Sequence, residues 1–364
     1  MRVALVIERF EPRGGGVESV AWQVAHGLAR AGDDVTVVAR EATATPAVRV
    51  ERVAIATAWQ PWRVLAFSRA AARRAPRDRF DVVHSFSRTL HQDLFRTGGG
   101  SHADYLERRH GAIGRSLRKL SPRHRVLLGI EARVFADPSQ TLHCNSMLVR
   151  DEIARRYGVP DERLVVLYNG VDLTRFHPSR RADAKPLRAA LAGTDDPLWL
   201  FVGTGFERKG LDTALRALAA TRGVLAVAGR DDPARWRARA RAIGVADRVR
   251  WLGARGDVEQ LCAAADALLL PTRYDAFANA CLEAAAAGLP VVTSRSNGAA
   301  EILGDGGIAI GRADDVAGFA AALTSLADPA ARERRGAAAR AVAEGFSWEA
   351  HVARLRALYA RIAR

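Results

Sequence analysis

The sequence predicts an α/β protein of two doubly wound domains facing a cleft, and three observations carry this reading. Short apolar runs alternate with amphipathic stretches along the 364 residues, the pattern of strand–helix units that build parallel sheets. The chain exceeds the length at which a single core stops growing, so two domains are expected. The alternation breaks once, in a polar, irregular stretch that follows "NGVDLTRFHPS" and runs through Asp196.

The elements follow in order. Val3–Ile7 is the first strand. Gly14, Gly15 and Gly16 come next, then a helix with Val17, Val20, Val24 and Leu28 on one stripe. "AGDDVTVVAR", "DRFDVVHSF", "QTLHCNS" and "RLVVLYNG" supply further strands. In the second half the strands are "LWLFVG", "VLAVAG", "VRWLG", "ALLLP" and "PVVTS". A long alanine-rich helix precedes "FSWEAHVARLRALYARIAR", an amphipathic helix expected to pack back on the first domain. The expected segmentation is residues 1–171 plus 346–364 for the first domain and 172–345 for the second. Ligands of open α/β sheets bind outside the carboxyl ends of the strands.

Composition narrows the classes. Hydrophobic residues make up 49% and charged residues 26%, a globular balance. "MRVALVIERF" has an apolar stretch interrupted by Glu8 and no small-residue cleavage site, and reads as a strand and not a signal peptide. No apolar run approaches the roughly 18–20 residues that span a bilayer. Cys144, Cys262 and Cys281 are scattered and odd in number, which argues against a disulfide framework and suits a reducing cytoplasm. The 55 Lys and Arg against 40 Asp and Glu give a net charge of +15. Such a chain favours anionic partners: nucleic acid, a phosphorylated substrate or an acidic membrane surface.

Three motifs carry the chemistry. Gly14–Gly16 stands between a strand and a helix, where the helix N-terminus presents free N–H groups to a phosphate. "FERKG" follows the first strand of the second domain, and its adjacent cations Arg208 and Lys209 would neutralise a diphosphate and stabilise it as a leaving group. "YDAFANACLEAAAAGLPVVTS" sets Asp275 before a helix and Glu283 inside it. Backbone N–H groups of Ala276, Phe277, Ala278 and Asn279, read as the start of that helix, would cradle a pyrophosphate or sugar oxygens. Eight helical residues rise about 12 Å, too far for the two acids to pair as a catalytic dyad. The bland alternatives are a flexible glycine turn, a solvated cation pair, and an N-cap acid with a surface glutamate.

In this order and spacing, with "HCNSMLVRDEIARRYGVP", "VLYNGVDLTRF" and the closing "FSWEAHVARLRALY", the chain resembles the retaining glycosyltransferases of family 4 over nearly its whole length. Within them it is most similar to the branch that extends the lipopolysaccharide core with glucose. The resemblance implies a GT-B fold, two Rossmann-like domains, and transfer of a hexose from a nucleotide sugar with retention of anomeric configuration. It implies no cofactor and no metal, the nucleotide sugar being the substrate. Glu283 matches the second acid of the family's E-x7-E motif, which holds the ribose hydroxyls. Asp275 stands at the first acid, one methylene shorter, and is expected to hold the donor sugar. Lys209 matches the diphosphate lysine. Thr204 replaces the arginine usual five positions earlier, and Arg208 is expected to supply that charge. Gly15 and Gly16 match the loop near diphosphate and acceptor. His102, in "GGGSHADY", falls where many members carry a histidine beside the reacting sugar, and is expected to orient the sugar or assist proton movement. His84, at the end of "DVVHSF", is a structural or acceptor-side candidate.

"YLERRHGAIGRSLRKLSPRHR" concentrates positive charge, including Arg108, Arg109, Arg115, Arg118 and Lys119. Leu106, Ile113, Leu117 and Leu120 share one stripe of an expected helix. It is read either as a helix packed on the sheet or as a contact to an anionic inner membrane leaflet or phosphorylated acceptor. The expected partners are therefore a nucleotide sugar and a lipid-linked or phosphorylated saccharide, with a cytoplasmic location, peripheral on the inner face of the membrane. The alternatives are a nucleotide-sugar epimerase, a transferase to a soluble acceptor, and a basic nucleic-acid-binding protein. The last lacks aromatic-interleaved basic patches. An oxidoreductase is disfavoured because no G-x-G-x-x-G occurs: "GTGFERKG" places Arg208 at the third glycine.

Overall fold

The computed structural model describes residues 1–12, 15–55, 57, 59–109, 121–193 and 196–363. The chain divides into two compact units, Met1–Gly170 with Trp348–Arg364, and Val171–Ser347. The first unit runs β1 (Arg2–Phe10), α1 (Gly16–Arg30), β2 (Asp34–Ala42), β3 (Arg49–Arg52), α2 (Gln60–Arg74), β4 (Val82–Ser85), β5 (Leu94–Arg96), α3 (His102–Arg109), α4 (Pro122–Ala136), β6 (Thr141–Cys144), α5 (Met147–Tyr157) and β7 (Leu164–Val166). The second runs α6 (Lys185–Ala192), β8 (Leu198–Val202), α7 (Leu211–Ala219), β9 (Val224–Ala228), α8 (Ala234–Ala242), β10 (Val249–Gly253), α9 (Val258–Ala264), β11 (Ala267–Leu270), α10 (Asn279–Ala286), β12 (Val291–Ser294), β13 (Gly307–Ile310), α11 (Val316–Ser325) and α12 (Pro329–Glu344). The final helix α13 (Trp348–Ile362) belongs to the first unit.

Each unit is a parallel, doubly wound sheet. The first has seven strands in the order β3-β2-β1-β4-β5-β6-β7, the second six in the order β10-β9-β8-β11-β12-β13. In both, the order reverses between two neighbouring strands, β1 and β4 in one and β8 and β11 in the other. Ligand sites of such sheets form there, outside the carboxyl ends of the strands. The central strands read as continuous apolar runs because helices cover both faces: Val3 to Ile7 are at most 2% exposed, and Leu268 to Leu270 have no exposure.

Helix α1 turns Val20, Val24 and Leu28 inward, and α13 turns Val352, Leu355, Leu358 and Tyr359 to the same core. Burying each such leucine contributes roughly 1.5–3 kcal/mol. Gly27 permits this packing, since a Cβ there would lie 2.5 Å from Val352 Cγ2.

The sequence pattern missed three strands, and it read as irregular a stretch that holds a helix. Strands β3, β5 and β13 carry too few apolar residues or too few residues at all: "RVER", "LFR" and "GIAI". Helix α6 lies within the stretch read as irregular; it is eight residues long with Leu191 buried, too short to stand out there. Among the described residues no helix is long and apolar enough to cross a membrane.

Candidate functional site

In the second unit, the loops leaving β8 and β11 are the two that flank the reversal of strand order, and they carry the cations and the acid singled out by sequence. The β8 loop is held from behind. Gly205 N donates to Asp231 Oδ2 at 2.6 Å, and Phe206 N donates to the same oxygen. Gly210 adopts φ +80°, open to glycine at little cost. A Cβ on it would lie 1.8 Å from the Pro271 carbonyl oxygen, so glycine lets the start of α7 press against the end of β11. The two loops are then stitched together: Arg273 N and Thr272 Oγ1 both donate to the Arg208 carbonyl, at 2.8 and 3.1 Å.

Asp275 lies at the centre. Its Oδ2 accepts from Lys209 Nζ at 2.5 Å and from Arg208 Nη1 at 2.8 Å. Lys209 is only 7% exposed. Burial works to raise the Asp275 carboxyl, but the two cations outweigh it and hold it below the usual carboxylate range. The acid therefore stays ionised. Its backbone is pinned too: Asp275 N donates to Ser296 O, and Gly298 N donates to Asp275 O.

Asn297 was not singled out by sequence and organises the rest of the turn. Its Oδ1 accepts from Ala278 N and Ala299 N, both at 3.1 Å, and its Nδ2 donates to Thr293 Oγ1 at 3.0 Å. It is fully buried. The "SNG" that closes "PVVTSRSNG" was the available signal, since Asn-Gly marks a turn. Two expectations are corrected here. The helix starts at Asn279 and not at Ala276, so a continuous helix does not join the two acids and the rise expected from it does not apply. The Ala278 amide, expected to face a ligand, is bonded to Asn297 instead. Ala276 and Phe277 are buried in the same turn.

Glu283 is half-buried on α10. Burial pushes its carboxyl up to about 7, with Glu259 raising it further while Arg175 and Lys209 oppose. Arg175 is bound to Glu259 at 2.6 Å. Lys209 thus feels both acids of the motif, bonding Asp275 and acting electrostatically on Glu283. Together, two cations, an ionised aspartate and a glutamate poised near neutrality form an arrangement able to hold a diphosphate and nearby hydroxyls.

The first unit places the other candidates. Gly15 is the extended residue before α1 and Gly16 its first residue, while Gly14 lies outside the described residues. A Cβ on Gly15 would lie 2.7 Å from Glu18 Oε2, so a carboxylate of the chain itself stands close to this helix N-terminus. His102 begins α3, 6% exposed, with Nε2 2.8 Å from His124 Nδ1 and its backbone N–H donating to Glu131 Oε2. Burial first, then Arg88, His124 and Arg123, lower it to about 3. The ring is thus held in its neutral form at physiological pH. His84 is fully buried, with Nδ1 2.7 Å from the Tyr359 hydroxyl on α13. Its acceptor-side role is corrected to a structural one, because no surface remains for a ligand to touch. Arg108 and Arg109 close α3; Arg115, Arg118 and Lys119 lie outside the described residues.

The family described as glycosyl transferases group 1 matches residues 196–328, and that described as glycosyltransferase family 4 matches residues 14–175. A protein of Burkholderia thailandensis, described as a probable transglycosylase, is 32% identical over 96% of this chain and 94% of its own length. The crystal structure of WaaG, a glycosyltransferase involved in lipopolysaccharide biosynthesis, superposes with a TM-score of 0.85 at 23% identity, over 98% of this chain and 99% of that one. The Anabaena protein HepE in complex with UDP-glucose has a TM-score of 0.75 at 16% identity, over 99% of this chain and 100% of that one.

Proposed function

Because the chain belongs to the group 1, family 4 glycosyltransferases of GT-B fold, we propose that it transfers glucose from UDP-glucose to a lipid-linked saccharide of the lipopolysaccharide-core type, with retention of configuration. The observation that carries this reading is the meeting of Arg208, Lys209 and Asp275 where the strand order of the second unit reverses. A sugar nucleotide presents the matching chemistry: a dianionic bridge for the cations, ribose hydroxyls for Glu283 and sugar hydroxyls for Asp275.

In the reaction, the bond from the sugar anomeric carbon to the diphosphate oxygen breaks. A bond from that carbon to an acceptor oxygen forms on the same face, and the acceptor proton leaves with the released diphosphate. Arg208 and Lys209 stabilise the charge gathering on the diphosphate as it departs, the part a metal ion plays in other transferases. No cofactor takes part. Asp275, ionised throughout, orients the sugar and donates no proton. His102, neutral and fixed by His124 and Glu131, acts by position.

The acceptor reading draws on relatives: WaaG acts in lipopolysaccharide biosynthesis, and HepE binds UDP-glucose. With it goes a cytoplasmic enzyme, peripheral on the inner membrane face and drawn there by Arg108, Arg109, Arg115, Arg118 and Lys119, each worth about 1 kcal/mol near an anionic surface.

The test is product analysis with UDP-glucose labelled at the anomeric carbon, alone and with a lipid-linked core saccharide, in the presence of chelator. The expected result is an α-linked product that needs the acceptor. A changed sugar nucleotide without acceptor would mean an epimerase, and equal transfer to a soluble saccharide would remove the lipid-linked assignment.

A further inference from the structure

The first unit holds a cavity of about 280 Å³ at the carboxyl ends of β1, β4 and β5, where its own strand order reverses. Four arginines line it, Arg63, Arg88, Arg96 and Arg123, against one carboxylate, Glu8. Arg96 is the unusual member. It is 4% exposed. Among the described residues its side chain donates to Asn169 Oδ1 at 2.7 Å and lies 5.7 Å from the Phe86 ring centre, and no carboxylate is within ion-pair range. Its Nε has no partner. Desolvation alone lowers it to about 10, so it remains a cation at neutral pH.

A buried charge without a counter-charge is strongly unfavourable, yet the fold is shaped to keep this one. A Cβ on Gly98 would lie 1.7 Å from Arg96 Nη1, so glycine at that position makes room for the guanidinium beside the cavity. Arg63 Nε is unpartnered as well. Arg88 is partly neutralised by Glu131 at 4.0 Å. Glu8 Oε1 is buried without a partner and is suited to accept from hydroxyls.

We infer that this cavity is an anion subsite for a phosphate carried by the acceptor saccharide, with Arg96 and Arg63 on the phosphate and Glu8 on a neighbouring sugar hydroxyl. Guanidinium forks match phosphate oxygens in pairs, and two or more cations around one site fit a dianion better than a single carboxylate. The identity of the carrier rests on the glycosyl-transfer reading; the anion subsite does not.

The experiment is calorimetric titration of the full chain with UDP present at saturation, so that Arg208 and Lys209 are occupied. The probes are glucose 6-phosphate, inorganic phosphate and glucose, and the proteins are wild type, Arg96→Gln and Arg63→Gln. Glucose 6-phosphate is expected to bind wild type better than either other probe. Its affinity is expected to fall at least tenfold in Arg96→Gln and two- to fivefold in Arg63→Gln, and Arg96→Gln without ligand is expected to melt no lower than wild type. Equal affinity in wild type and Arg96→Gln, or no binding to wild type, would overturn the inference. Tighter binding of inorganic phosphate would overturn the saccharide carrier. Should Arg96→Gln fail to fold, unchanged affinity in Arg63→Gln overturns the inference by itself. Absence of UDP binding would remove the transferase reading, and the same titration without UDP would then decide the subsite alone.

Discussion

Lys209 and Asp275 form a 2.5 Å ion pair between the loops that leave β8 and β11, with Arg208 bonding the same carboxylate oxygen at 2.8 Å. The pair balances charge in a nearly buried place. It also means that an incoming diphosphate competes with Asp275 for both cations.

Asp275→Asn is therefore expected to act in opposite directions on binding and turnover. UDP affinity should rise several-fold, because the cations lose a competing carboxylate. Glucosyl transfer should fall by about 10²-fold, because the sugar loses a charged hydrogen-bond acceptor. Calorimetry with UDP and steady-state rates with UDP-glucose give the two readouts; a parallel fall in both contradicts the competition.

Glu283 carries a pH dependence. Its folded value of about 7 lies above its ordinary 4.5, so its charged form is disfavoured by folding. The resulting penalty is absent below about pH 4.5 and complete above about pH 7. Glu283→Gln should accordingly stabilise the chain at pH 8 by on the order of 1–2 kcal/mol. Hydroxyls bind the carboxylate better than the acid, so UDP affinity should fall as pH drops through 7. Titration of both proteins between pH 6 and 8.5 checks this: the wild-type profile should slope and the Glu283→Gln profile should be flat.

Gly210 is under two constraints, a positive φ and contact with the Pro271 carbonyl. Gly210→Ala should lower stability by at least about 2 kcal/mol and weaken UDP binding together, because the loop carrying Arg208 and Lys209 must move. Urea unfolding at fixed m-value measures the first effect. Full retention of stability contradicts the packing described.

Acid lability should originate in the first unit. His84 and His143 are lowered well below their ordinary value, and His351 to about 4, burial being the largest cause in each. Each is neutral in the fold and can take a proton once unfolded. Stability is thus retained above pH 6.5 and lost as pH falls below it. The urea midpoint between pH 7.5 and pH 5 measures this, and a flat response contradicts it.

Much of the donor cradle was legible because its parts are local. "FERKG" and "YDAFANACLEAAAAG" each follow an apolar strand, and β8 and β11 stand out as continuous Leu, Val and Phe runs buried on both faces. What stayed hidden depends on distant partners. Asn297 organises a turn nineteen positions earlier by filling its amide, and nothing in "YDAFANA" reveals that Ala278 N–H is already bonded. The same holds for His84: "DVVHSF" looks like a strand reaching an edge, and only the return of α13 with Tyr359 closes it over. Arg96 offered no signal, since three residues of β5 are too few to show a pattern and its burial follows from the strands beside it.

The central claim, that the loops after β8 and β11 bind a nucleotide diphosphate, is tested most directly by calorimetric titration of UDP into wild type and Lys209→Gln. The account predicts saturable binding by wild type, weakened at least tenfold by the substitution, and a thermal stabilisation of about 2.7 kcal/mol at a hundred times the dissociation constant. No binding by wild type, or equal affinity in the two proteins, would contradict it.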